Sequence, residues 1–176
     1  DLIAAAPLAT PRYELVDGEL LVTPSPAFLH QLAVTRLLTA LVAYMDAEHI
    51  GAAVTSPSDV ELEPEFITQP DVYAVDRSEW RRVTNEGNPV RALLLAVEVL
   101  SPSSARHDRV RKRPLYQRNV PEYWIVDLDA RLFERWTPAD ERPELLAETL
   151  PWHPAGATTA FILDLPRYFE SVFATD

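Results

Sequence analysis

Apolar and polar positions change period several times along this chain. YELVDGELLVTP (13–24) places two short apolar-rich runs around Asp17-Gly18, a dipeptide suited to the positive φ angles of a tight turn, and so predicts a β-hairpin. In PSPAFLHQLAVTRLLTALVAYMDAEH (24–49), Val34, Leu37, Leu38, Leu41 and Met45 recur at spacings of three and four, the stripe of a helix with one buried face. Ser25 and Pro26 suit its cap and first turn. After Gly51, AVTSPSDVELE is strand-like with a break at Pro57, and ITQPDVYAV (67–75) reads as one strand. DRSEWRRVTNEGNPV (76–90) has no apolar period and reads as a polar connector. RALLLAVEVL (91–100) is almost continuously apolar and has the length of a central strand buried on both faces.

SPSSARHDRVRKRPLYQRN (101–119) reads as a loop entering a helix, with serine caps at its start and Asp108 in its early part. Pro114, two residues after Lys112, marks either a bend in that helix or its beginning. EYWIVDL (122–128) and RLFERWT (131–137) are strands around a short turn. ELLAETL (144–150) and FILDL (161–165) are further strands, and RYFESVF (167–173) is a terminal helix. The order of helix, strands, helix and strands predicts one domain over 1–176, of mixed α/β or α+β layers.

Composition narrows the chemistry. The 176 residues are 47% apolar, enough for one domain with its own core. Four Gly against 16 Pro imply few flexible loops and many fixed corners. The absence of Cys excludes disulfides, thiolate metal sites and Cys nucleophiles. His30, His49, His107 and His153 show no zinc-site spacing. No run is read as approaching the ~20 apolar residues of a membrane span. The first residues lack the basic and apolar regions of a secretory signal. The first residue is not Met, so the expectation is a start further upstream and a cytoplasmic location. A net charge of −11 argues against a broad basic surface that coats nucleic acid, but not against local neutralisation of phosphate by a metal ion.

Two carboxylates stand where burial is costly. Glu98 interrupts the apolar run LLLAVEVL, and Asp71 stands among apolar neighbours in QPDVYAV. A hairpin-like pairing of these consecutive strands would bring both acids to one point. There they repel unless a cation holds them ionised, and two carboxylates with retained waters describe a Mg²⁺ site. Of 16 basic residues only Lys112 is lysine. Lysine is a compact point charge whose pKa can be lowered, whereas arginine is a fixed, permanently charged fork. A task that needs a movable ammonium beside a water would explain Lys112. Taken by itself, chance survival of one exposed Lys in an Arg-rich composition is the favoured explanation.

QPDV, VEVLSPSS and HDRVRKRPLYQRNVPEYWIVD together resemble the Uma-type family of restriction endonucleases, a branch of the PD-(D/E)XK nuclease superfamily. The matching positions are Tyr13 to Leu20, His30-Gln31, Pro70-Asp71, Glu98 to Ser103, Asp108 with Lys112, Tyr116, and Val120 to Asp127, in order over 13–127. Asn119 replaces the glycine that the family has before VPEYW. The resemblance implies a restriction-endonuclease-like α/β core, a central mixed β-sheet flanked by helices. It also implies a homodimer, DNA as substrate, and Mg²⁺ or Mn²⁺ held by Asp71, Glu98 and the Val99 backbone carbonyl. The superfamily's usual lysine would fall at position 100, which is Leu100; the resemblance puts it at Lys112 instead. Catalysis would then rest on Asp71, Glu98 and Lys112, in metal-assisted hydrolysis of a phosphodiester.

The remaining candidates each have an ordinary structural explanation. His30 either faces the metal or is a capping or partly buried histidine. Glu19 is a candidate supporting acid behind the metal, but a solvated hairpin residue is the favoured reading. Asp108 either orients Lys112 four residues on or simply serves a helix N-terminus. Arg109, Arg111 and Arg113 either contact phosphate or line a solvated helix face. Ser101 and Ser103 suit turn and cap chemistry, since no GxSxG elbow is present. Tyr123 and Trp124 belong to a core strand. Two other functions stay open on the same fold: a catalytically silent binding module and a hydrolase of another phosphoester.

Overall fold

The described residues open with two antiparallel strands, β1 (Arg12–Val16) and β2 (Glu19–Thr23), joined at Asp17 and Gly18 with φ of 50° and 71°. Both angles lie in the left-handed region that the Asp-Gly pair tolerates best. The structure is a computed structural model that describes residues 12–23, 27–101, 105 and 107–175. Ser25, Pro26, Ser103 and Arg106 lie outside the described residues. Helix α1 (Phe28–Glu48) follows, then β3 (Gly51–Thr55), β4 (Val60–Glu63), β5 (Phe66–Thr68) and β6 (Val72–Asp76). Helix α2 (Arg77–Glu86) leads to β7 (Leu95–Val99). A π-helical segment, His107–Lys112, runs directly into α3 (Arg113–Asn119). The chain closes with β8 (Tyr123–Asp127), β9 (Leu132–Trp136), β10 (Glu144–Leu146), β11 (Thr149–Trp152), β12 (Phe161–Asp164) and α4 (Leu165–Phe173).

A six-stranded mixed sheet, in the order β10-β9-β8-β7-β6-β3, forms the centre. Only β7 and β8 pair in parallel; the other neighbours are antiparallel. The crossover from β7 to β8 carries the π-helical segment and α3, as a parallel pair requires a long connection. A four-stranded sheet, β2-β1-β5-β4, packs nearby, and β11 pairs with β12. On one face of the central sheet, Leu37, Leu41 and Met45 of α1 and Phe169 and Val172 of α4 bury Val72, Ala74, Leu95, Val97 and Trp124. On the other face, Tyr73, Ala96, Tyr123 and Ile125 meet Leu115 and Tyr116 of α3 together with Val16 and Phe66 of the smaller sheet.

Four expectations need correction. ITQPDVYAV is two strands in different sheets, β5 and β6, with Gln69, Pro70 and Asp71 between them. Pro70 has no amide hydrogen to continue a ladder, and Ser56 Oγ donates to the Gln69 and Pro70 carbonyls instead. The stretch 76–90 is largely helical: Asp76 caps α2 by accepting from the Glu79 amide, and Glu79 pairs with Arg82 one turn on. ELLAETL is divided between β10 and β11. Finally, α1 is long and apolar enough, by composition, to cross a membrane. Here its stripe of Ala33, Val34, Leu37, Leu41 and Met45 is covered by the fold.

Candidate functional site

Strands β6 and β7 pair with Val72 opposite Val97, so the antiparallel register carries Asp71 and Glu98 toward one another at the same end of the sheet. Period two explains why Glu98 faces the mixed layer: Leu95, Val97 and Val99 point into the α1 face, and Ala96 and Glu98 point the other way. Both acids are buried, Asp71 at 4% exposure and Glu98 at 1%. Asp71 Oδ2 accepts from the Val99 amide at 2.8 Å and from His30 Nε2 at 3.1 Å. The observed link between Val99 and the site is thus its N–H, which anchors the first acid to the strand that carries the second.

Lys112 reaches the acids from the end of the π-helical segment. Its Nζ lies 2.7 Å from Glu14 Oε2, 3.2 Å from Glu98 Oε1 and 3.4 Å from Asp108 Oδ1. Pro114 sits in the first turn of α3, directly after the π-helical segment, so Lys112 lies in the lead-in to that helix. Glu14 Oε1 accepts from Thr68 Oγ1 at 2.6 Å and from the Gln69 amide at 2.9 Å. Tyr116 OH donates to Glu98 at 3.0 Å and lies 2.8 Å from Thr68 Oγ1. The result is one buried network tying the N-terminal hairpin, the β5–β6 link, β7 and α3.

One ammonium cannot serve every carboxylate equally. Burial pushes Glu98 up, Lys112 opposes the rise, and the charges of Asp108, Asp71 and Glu14 add to it, so its carboxyl stands well above the ordinary range. Burial also acts to raise Glu14, but Lys112, the Gln69 amide and Thr68 outweigh it and hold that group below the ordinary range. Burial works against the Lys112 ammonium, yet Glu98, Glu14 and Asp108 together raise it. Lys112 is thus held as a cation.

The structure sorts the other candidates. His30 is buried and meets Asp71, rather than capping α1. Asp108 is buried at 1% and does pair with Lys112 four residues on. Glu19 is not behind the acids: it is exposed and pairs with Arg111 at 2.7 Å. The hairpin's buried acid is Glu14, on the inner strand β1 that pairs with β5, whereas Glu19 stands beside the turn on the edge strand β2; sequence reasoning missed Glu14. Its signal was the alternation of Tyr13, exposed, with Glu14 and Val16, both buried. Arg109 is bound to Asp127 and Glu134, and Arg113 lies 4.6 Å over the Trp136 ring while donating to Gln117. The three arginines thus have partners within the protein.

Glu14, Glu98 and Asp108 surround a single ammonium, and Asp71, held by His30, acts on Glu98 from just ahead of the neighbouring strand. That donor set is hard oxygen with surplus negative charge, the chemistry that fits a divalent cation taking one or two carboxylates and water. Among the described residues, no cluster of three or more His, Asp or Glu side chains is arranged to hold a metal.

The structure thus presents a mixed sheet with α1 and α4 on one face and α3 on the other, and Asp71 and Glu98 at one end of adjacent strands. Residues 4–160 match the family model of Uma2, described as "Putative restriction endonuclease", and the chain belongs to that family. Among solved structures it is similar to a protein from Anabaena variabilis described as a "putative nuclease belonging to DUF820". The two are 19% identical and superpose with a TM-score of 0.77 over 97% of each chain, which shows a shared fold. No match is found among curated proteins.

Proposed function

We propose that this protein is a metal-dependent nuclease that hydrolyses phosphodiester bonds in DNA. The observation that carries the reading is the meeting of Asp71 and Glu98 at one sheet end, with the chain's single lysine 3.2 Å from Glu98. Family membership supports it. Asp71 and Glu98, with the Val99 carbonyl, would hold Mg²⁺ or Mn²⁺. A bound divalent ion would supply positive charge that makes a water more acidic and offsets charge gathering on the phosphate.

The chain's own groups have separate tasks. Lys112 is an ammonium with donors only, so it would orient the attacking water or hold a phosphate oxygen, and would not take up a proton. Val99 N–H and His30 fix the orientation of Asp71. Tyr116 OH holds Glu98 at Oε1, the oxygen that also meets Lys112.

Calorimetric titration with Mn²⁺ tests the metal without a guess about substrate. Binding by the intact protein that disappears in Glu98→Gln is expected, along with loss of DNA cleavage in Lys112→Met. A second reading has its own observation: Lys112 is 1% exposed and already carries three carboxylates, which suits a structural ion knot in a catalytically silent module. Absence of both Mn²⁺ binding and cleavage in the intact, folded protein would favour that reading. Cleavage of a small phosphodiester but not of DNA, at one metal concentration, would instead favour a hydrolase of another phosphoester.

A further inference from the structure

The strongest surface feature outside the acid pair is the outer side of α2. Arg77, Trp80, Arg81 and Thr84 are all exposed and recur at spacings that place them on one helix face. With Asn85 they line a shallow cavity of about 400 Å³ that has no Asp or Glu in its wall. Trp80 is 50% exposed, whereas Trp124, Trp136 and Trp152 are buried. Among the described residues neither Arg77 nor Arg81 is in an ion pair, in contrast to Arg82 on the inner side, which is bound to Glu79 and Glu86. In a chain of net charge −11, an acid-free arginine face around an open indole is complementary to a polyanion that carries flat rings.

We propose that this face of α2 binds single-stranded DNA, with a base stacked on Trp80 and flanking phosphates held by Arg77 and Arg81. Stacking on an exposed aromatic beside cationic side chains is how single strands are held without sequence readout. The identity of the polyanion rests on the nuclease reading above. Helix α2 begins where β6 ends, and Asp71 lies at that strand's other end, so this face is a place of contact separate from the acid pair.

The test uses the intact protein in chelator, so that nothing is cut, and fluorescein-labelled dT20 followed by anisotropy. Trp80→Ala is expected to weaken binding about 5- to 100-fold, with Trp80→Phe retaining part of the affinity. Arg77→Gln with Arg81→Gln is expected to weaken it too, and to flatten the slope of log affinity against log salt by roughly 1.4, two phosphates' worth. Tryptophan emission should fall on binding in the intact protein and not in Trp80→Ala. The proposal is overturned if both variants bind dT20 like the parent, if the parent binds no dT20, or if a duplex of equal length binds as tightly and only the arginine variant loses affinity. Cleavage assays with Mn²⁺ keep the two ideas apart. A parent that binds through Trp80 yet never cuts would remove the nuclease reading and leave this face. A parent that cuts, with binding indifferent to Trp80, would do the reverse.

Discussion

The two faces of the central sheet are built from the same strands and obey different physics. In β7, Leu95, Val97 and Val99 enter a wholly apolar layer against α1 and α4. Ala96 and Glu98, one residue out of phase, enter a layer where apolar packing surrounds Glu14, Glu98, Asp108 and Lys112. On the first face stability depends on volume and contact, and each residue contributes nearly independently. On the second, each charged group is affordable only because the others are present, so losses there are shared. The apolar face holds the strands in register, and that register brings Asp71 to Glu98.

The comparison breaks most sharply at Lys112. Lys112→Met leaves Glu14, Glu98 and Asp108 without their ammonium, and a loss of about 3–5 kcal/mol in urea unfolding is expected. A double-mutant cycle with Glu14→Gln should depart from additivity by about 0.5–3 kcal/mol, because the two groups share one network. On the apolar face, Leu41→Ala should cost about 2–5 kcal/mol by the same measurement. Combined with Lys112→Met it should add within roughly 0.5 kcal/mol, since the sheet separates the two sites. Coupling as strong as that of the Glu14 pair would show that the faces are not independent.

Smaller effects sharpen the picture. Tyr116→Phe removes the hydroxyl between Glu98 and Thr68, and about 1–3 kcal/mol should be lost in urea unfolding. At the surface, Arg118 and Asn119 hold the Glu63 carboxyl down to about 2. A group depressed in this way stabilises the fold above its ordinary range near 4.5, and that contribution fades as pH falls toward 2. Arg118→Gln should move the Glu63 titration, followed by NMR, back toward the ordinary value with little change in stability at neutral pH.

The difference between the faces also explains what could be read in advance. The α1 stripe, the hairpin at Asp17-Gly18 and the strand holding Glu98 carry strong local signals, and each stands where the sequence puts it. Helix α2 was read as a connector because it is short and almost entirely polar; its cap and its Glu79–Arg82 pair hold it without an apolar stripe. Glu14 was missed, and Glu19 considered in its place, because both acids sit on one face of one hairpin, and only the pairing of β1 with β5 buries Glu14 while the edge strand β2 leaves Glu19 solvated.

The sequence by itself determined the alternation of elements, the single lysine, and two acids placed where burial makes them expensive. These are local properties, set by periodicity and by the cost of an unpaired charge in an apolar strand. Only the tertiary structure decided which groups share that cost. The antiparallel register of β6 and β7, the π-helical approach of Lys112, and the packing of the hairpin against α3 bring Glu14, Asp71, Glu98, Asp108 and Lys112 within reach of one another. Contacts between residues as distant as Glu14 and Lys112 carry no local pattern, because they exist only once the sheets are assembled.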